Sequence, residues 1–135
     1  MNLTTSTDGH ILGKVQCPGD KSISQRVLIL GAFMNQDMVI DGFLHGEDPL
    51  STMNALNQIG AGIQVDKDDR VLLCKRNHSF HHSDNVINLG NSGTGLRLML
   101  GLASGMGLKA SFVGDESLSS RPMERAVSYT HLRAH

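Results

Sequence analysis

The sequence predicts a mixed α/β (α+β) fold made of repeated β-α-β-α-β-β units. Short apolar runs bounded by Gly, Pro or Asp alternate with longer stretches whose apolar residues recur at helical spacing. The same alternation restarts near Val86, which points to a duplicated supersecondary unit. With 39% apolar and 19% charged positions in 135 residues, the chain has the composition of one soluble globular unit or a piece of one.

Taken in order, Ile11 to Cys17 is predicted as a short strand ending at Pro18-Gly19. A helix follows, with Ile23, Val27, Leu30 and Met34 on its apolar face, and its start carries Asp20 and a Ser22-x-x-Gln25 pattern that fits a capping box. Val39 to Phe43 is the next strand. Asp48 as N-cap and Pro49 at the first helical position open a second helix, whose buried stripe is Leu50, Met53, Leu56 and Ile59, and Gly60 or Gly62 ends it. Ile63 to Val65 and Val71 to Cys74 flank the polar turn Asp66 to Arg70 as a hairpin. In the second unit Val86 to Leu89 is a strand and Gly90 to Thr94 a tight turn. A helix with Leu96, Met99, Leu100 and Ala103 on one face comes next, then a strand over Ala110 to Val113 and a polar loop over Gly114 to Ser120.

Composition excludes several function classes. The formal charge is −1, with four Phe, one Tyr and no Trp, so neither a basic face nor an aromatic platform for nucleic acid is expected. No apolar run approaches the roughly 18 residues of a membrane span, and the N-terminus lacks the pattern of a signal peptide. Cys17 and Cys74 form no disulfide framework and no zinc spacing, so two reduced, partly buried thiols in a cytoplasmic protein are expected. His78, His81 and His82 cluster without the spacing of a helical metal site and are expected to lie in a solvated loop. The residues from Val127 to His135 back-translate to a sequence resembling a transposon-derived sequencing adapter. Segment 127–135 is therefore expected to be an artefact tail on a chain cut short.

Three constellations carry chemistry. In Pro18-Gly19-Asp20-Lys21-Ser22-Ile23-Ser24-Gln25-Arg26 a turn feeds a helix whose first N–H groups and dipole favour an anion, with Lys21, Ser22 and Arg26 around that end. A nucleotide P-loop is excluded, because Asp20 stands where that pattern requires Gly before the lysine. In Gly90-Asn91-Ser92-Gly93-Thr94-Gly95-Leu96-Arg97 glycines permit a ligand to approach bare backbone at another helix start. In Gly114-Asp115-Glu116-Ser117-Leu118-Ser119-Ser120-Arg121-Pro122 a guanidinium suited to carboxylate or phosphate precedes a helix-initiating Pro. Each segment alone is equally compatible with an ordinary cap, turn or surface arginine. Together they converge on a small polyanion.

These stretches, with Gly46-Glu47-Asp48 followed by Ser51-Thr52, resemble the signatures of the 5-enolpyruvylshikimate-3-phosphate synthase family from about Gly13 to Met123. The resemblance implies the enolpyruvyl transferase fold, an inside-out α/β barrel of two domains around a cleft, here incomplete. Residues 1–20 would supply the first strand of the other domain, and residues 21–126 a partial shikimate-3-phosphate-binding domain of about one and a half units. The implied reaction transfers the enolpyruvyl group of phosphoenolpyruvate to the 5-hydroxyl of shikimate 3-phosphate and releases phosphate. Lys21 would be the catalytic residue, touching both substrates. Ser22 and Arg26 would bind shikimate 3-phosphate, while Gly93 and Arg121 would bind phosphoenolpyruvate, and a side chain at Gly93 would crowd the herbicide glyphosate. Asn91 and Thr94 would shape the same loop. Gln25 stands where many members carry His. No metal or organic cofactor is implied, and the whole enzyme would be a monomer, with its acid/base carboxylates lying downstream of this sequence. Two alternatives remain. One is the sister transferase acting on a UDP-linked amino sugar, disfavoured because Gly114 to Ser120 holds no reactive Cys. The other is an anion-binding module without turnover.

Overall fold

A computed structural model of the protein describes residues 4, 9, 12–74 and 79–124. Its elements run α1 (Lys21–Ala32), β1 (Met38–Ile40), α2 (Glu47–Gln58), β2 (Ile63–Val65), β3 (Val71–Leu73), β4 (Val86–Asn88), α3 (Gly93–Met106), β5 (Ser111–Val113) and α4 (Glu116–Ser119). The β2–β3 hairpin forms as its turn residues predict, and β3 lies between β1 and β2 in an antiparallel sheet of order β1-β3-β2. In the second unit β4 and β5 pair in parallel, Val86 opposite Ser111 and Asn88 opposite Val113, with α3 as the crossover.

The helices pack α1 on α2 and α2 on α3, with α1 also meeting α3. Leu28, Leu56, Ile59, Leu73, Ile87, Leu89, Met99 and Leu118 fill the core between helices and strands, each at most 1% exposed. Burial of side chains of this size contributes about 1.5–3 kcal/mol each, enough to fix how the helix starts sit against the strand ends. Among the described residues, no helix is long and apolar enough to cross a membrane.

Several expectations change. Residues 12–17 form no strand, and Leu12 and Val15 are 94% and 87% exposed. A strand exists only through pairing, and residues 12–17 pair with none of the described strands. Cys17 is correspondingly exposed, while Cys74 is partly covered. Helix α1 buries Ser24, Gln25, Leu28, Gly31 and Ala32, leaving Ile23 and Leu30 each 67% exposed. The predicted face is therefore the outer one. The helix carries two stripes, and the one rich in small residues is buried, Gln25 meeting α2 at Thr52 and Gly31 lying against Met38 and Leu73 of the sheet. Asp20, not Ser22, caps α1, its Oδ1 accepting from Ile23 N at 2.8 Å. Gln25 turns inward instead of back towards the cap. Helix α2 starts earlier than expected, with Gly46 as N-cap and Pro49 within the first turn, while Met53, Leu56 and Ile59 are buried as predicted. The loop over Gly114 to Ser120 contains the short helix α4, capped by Asp115. His81 and His82 hydrogen-bond to main chain at Ser79 and Lys109, whereas His78 and the segment 127–135 lie outside the described residues.

Candidate anion-binding site

Parallel pairing of β4 and β5 places their C-terminal ends side by side, so the turn at Gly90 and the turn at Asp115 meet. Asp115 N donates to Gly90 O at 2.9 Å, joining the two turns. Ligand sites in α/β sheets form at such carboxyl ends, where following helices aim their N–H groups outward. Here α3 starts at Gly93, behind Ser92, whose Oγ accepts from Gly95 N at 3.1 Å.

A hollow of about 310 Å³ opens at this point, lined by Lys21, Asp48, Asn91, Gly93, Thr94, Arg97 and Arg121. That volume lies at the lower end for small-molecule sites. Three cations face one carboxylate, so the hollow favours a compact anion.

Each charged group is held by a neighbour. Lys21 sits at the first position of α1, and its Nζ pairs with Asp48 Oδ2 at 2.9 Å. Asp48 lies in the first turn of α2, where the helix dipole favours its charge. The pair is partly open to water, 56% and 21% exposed, so it contributes at most about 1 kcal/mol to stability and serves mainly to aim the ammonium. Arg121 donates through Nη2 to Asn91 Oδ1 and, at 3.4 Å, to Ser117 Oγ. Asn91 donates from Nδ2 to Asp115 Oδ2 at 2.9 Å. A pure acceptor on one side and a pure donor on the other fix the Asn91 amide, which in turn fixes the guanidinium. Asp115 also accepts from Leu118 N at 2.7 Å, so one carboxylate caps α4 and anchors this relay. Asp115 is exposed, yet both of its carboxylate oxygens are engaged.

The structure brings Lys21, Gly93 and Arg121 to one hollow, with Asn91 and Thr94 beside them. A Cβ built on Gly93 would lie 2.9 Å from Arg121 Nη1 and 3.4 Å from Arg97 Nη1, so the missing side chain leaves room for both guanidinium heads. Ser22 and Arg26 are not part of that lining. Arg26 donates to Ser22 O at 3.1 Å and borders a separate apolar hollow of about 220 Å³ with Ile29, Leu30 and Leu98. Gly95 was expected to meet the ligand but is buried against Ser92, Thr52 and Gln25. The sequence reading gave neither Arg97 nor Asp48 a role in the site. The first was findable, since it stands four residues after Gly93 and so projects over the same helix start. The second was taken as a cap, and only the observed ion pair reveals its partner.

Parallel strand ends, the starts of α1 and α3, and three cations around one polar hollow give the chain the architecture of an α/β protein with a candidate anion site. A family model described as EPSP synthase (3-phosphoshikimate 1-carboxyvinyltransferase) matches residues 6–132, overlapping part of the adapter-like segment. A 3-phosphoshikimate 1-carboxyvinyltransferase of Petrotoga mobilis is 41% identical over 128 residues, which cover 94% of this chain and 30% of that protein. The corresponding protein of a Streptococcus pyogenes serotype M2 strain is 42% identical over 127 residues, 94% of this chain and 29% of that one. The solved EPSP synthase of Acinetobacter baumannii superposes with a TM-score of 0.79 at 36% identity, covering 90% of this chain and 28% of that one. The chain belongs to the EPSP synthase family. It spans about 30% of the length of the curated relatives it matches, and no closed barrel is present among its described residues.

Proposed function

We propose that this chain supplies the phosphoenolpyruvate-binding wall of an enzyme that transfers the enolpyruvyl group to the 5-hydroxyl of shikimate 3-phosphate with release of phosphate. The observation that carries this reading is the convergence of Lys21, Arg97, Arg121 and the start of α3 on one hollow. During transfer the methylene carbon of phosphoenolpyruvate gains a proton while the hydroxyl oxygen attacks the neighbouring carbon. The attacking hydroxyl gives up its proton, and phosphate then leaves from the tetrahedral intermediate as the new methyl group loses a proton, which restores the carbon–carbon double bond of the enolpyruvyl ether. Fixed cations and backbone N–H groups stabilise the phosphate and carboxylate charges through these steps. Lys21, at the edge nearest α1, is proposed to touch both substrates. Ser22 and Arg26 are proposed to bind shikimate 3-phosphate from the neighbouring surface of α1, outside the hollow itself.

Proton transfer needs a general acid and base. Asp48 is the hollow's one lining carboxylate among the described residues, and Lys21 engages it. We therefore assign the proton-moving groups to parts of the enzyme that this chain does not contain, and residues 12–20 to a strand of the second domain, which accounts for exposed Leu12 and Val15. The UDP-sugar alternative is disfavoured because neither Cys17 nor Cys74 lines the hollow. A monomeric, cytoplasmic enzyme without metal or organic cofactor is part of the proposal. A full-length enzyme carrying these residues is expected to release phosphate only when phosphoenolpyruvate and shikimate 3-phosphate are both present. Release with a UDP-linked amino sugar in place of shikimate 3-phosphate would select the alternative, and no release with either would leave an anion-binding module.

A further inference from the structure

Four polar side chains are buried among the described residues, Ser24, Gln25, Thr52 and Ser92, and three of them touch one another directly behind the hollow. Gln25 Nε2 donates to Ser92 Oγ at 2.7 Å and Thr52 Oγ1 at 3.0 Å, and lies 3.3 Å from Asp48 O. Thr52 donates onward to Asp48 O at 3.0 Å. One carboxamide on α1 thus reaches the first turn of α2 and the N-cap of α3. Its Oε1 makes no hydrogen bond to the protein.

We propose that Gln25 is a positioning residue for the phosphoenolpyruvate side of the site, setting where α3 begins and hence where Gly93 stands. Gln25 does not line the hollow, so it acts through Ser92, the residue immediately before Gly93. The absence of a side chain at Gly95 reflects the same assembly. A Cβ there would lie 2.6 Å from Ser92 Oγ, 2.7 Å from Thr52 Oγ1 and 3.1 Å from Gln25 Nε2, so the first turn of α3 rests on this polar group. An apolar side chain of similar length would fill the space without burying an amide oxygen that finds no donor. What the amide alone supplies is direction, since its N–H groups hold the Ser92 hydroxyl where it caps α3. Ser22 and Arg26 are not reached by this network. Its loss therefore acts on one substrate and not on the other.

The inference rests on the proposed reaction and is tested by steady-state kinetics of the full-length enzyme with Gln25→Leu and, separately, Ser92→Ala. Each variant is expected to raise KM for phosphoenolpyruvate about tenfold while KM for shikimate 3-phosphate stays within about twofold. The double variant is expected to be no worse than the more impaired single one, because both break the same bond. Should Gln25→Leu fail to fold, Ser92→Ala carries the same test with a smaller change of volume. A lowered Tm with both KM values unchanged, or an equal rise in both, overturns the positioning role and leaves the reaction intact. Absence of turnover in the unsubstituted enzyme overturns the proposed reaction, and this inference with it.

Discussion

At the scale of single residues, charge placed by a relay is what the site consists of. Arg121 is exposed, yet its guanidinium is tied through Asn91 to Asp115, so little of its side-chain freedom remains to be lost on binding an anion. Removing a charge-assisted contact of this kind costs ~1.5–3 kcal/mol. For partly exposed groups the lower figure applies, and in the full-length enzyme Lys21→Ala and Arg121→Ala are each expected to lower kcat/KM for phosphoenolpyruvate by at least about tenfold. Unchanged kinetics in both variants would remove these side chains from the site. Lys21, Gly93 and Arg121 were legible in the sequence because short motifs carry their local backbone setting with them. Gln25 was not. Its spacing from Ser22 fits a capping box, but Asp20 reaches Ile23 N and takes that role, freeing the carboxamide for contacts 27 and 67 residues away. No local pattern encodes partners at that separation.

At the scale of elements, the hairpin turn and the buried stripe of α2 were readable, and the buried face of α1 was not. The β2–β3 hairpin matches expectation because its turn is self-contained. Asp66 Oδ1 accepts from the N–H groups of Asp68 and Arg70, each at 2.9 Å, and Oδ2 pairs with the Arg70 guanidinium. The Arg70 main-chain N–H above all, and then its side chain, hold the Asp66 carboxyl below its ordinary value of 3.8 against an opposing effect of burial. The folded protein therefore binds that proton less tightly than the unfolded chain. The stabilisation is fully present above the ordinary carboxylate pKa and is lost as pH falls through the lower folded value. In urea unfolding, Asp66→Asn is expected to be less stable than the parent at neutral pH and to converge with it in acid. A difference independent of pH would contradict this. Helix α1 shows the opposite limit. Its apolar residues occupy two stripes, and which one is buried depends on the position of α2, information absent from the helix itself.

For the whole molecule, the repeat was legible from the restart at Val86, and the parallel β4–β5 pair follows from the strand-helix-strand order. Its first strand was not realised, since pairing requires a neighbour. Leu12, Val15, Ile23 and Leu30 stand between 67% and 94% exposed, more apolar surface than a single isolated side chain would present. On its own the 135-residue chain is accordingly expected to bind a hydrophobic dye and to melt without a sharp transition. A cooperative melt of a dye-free monomer would show that these faces need no cover. The account as a whole stands on one hollow in which Gly93 leaves space for two guanidinium heads, so the decisive measurement is the pair of KM values in full-length Gly93→Ala. The added Cβ crowds the flexible ends of Arg97 and Arg121 and meets Leu118 Cδ1 at an ordinary 3.7 Å, so the fold should survive while the anion loses its seat. KM for phosphoenolpyruvate is expected to rise about tenfold, with that for shikimate 3-phosphate within about twofold. Parent-like values for both substrates in a folded variant would mean that phosphoenolpyruvate binds elsewhere.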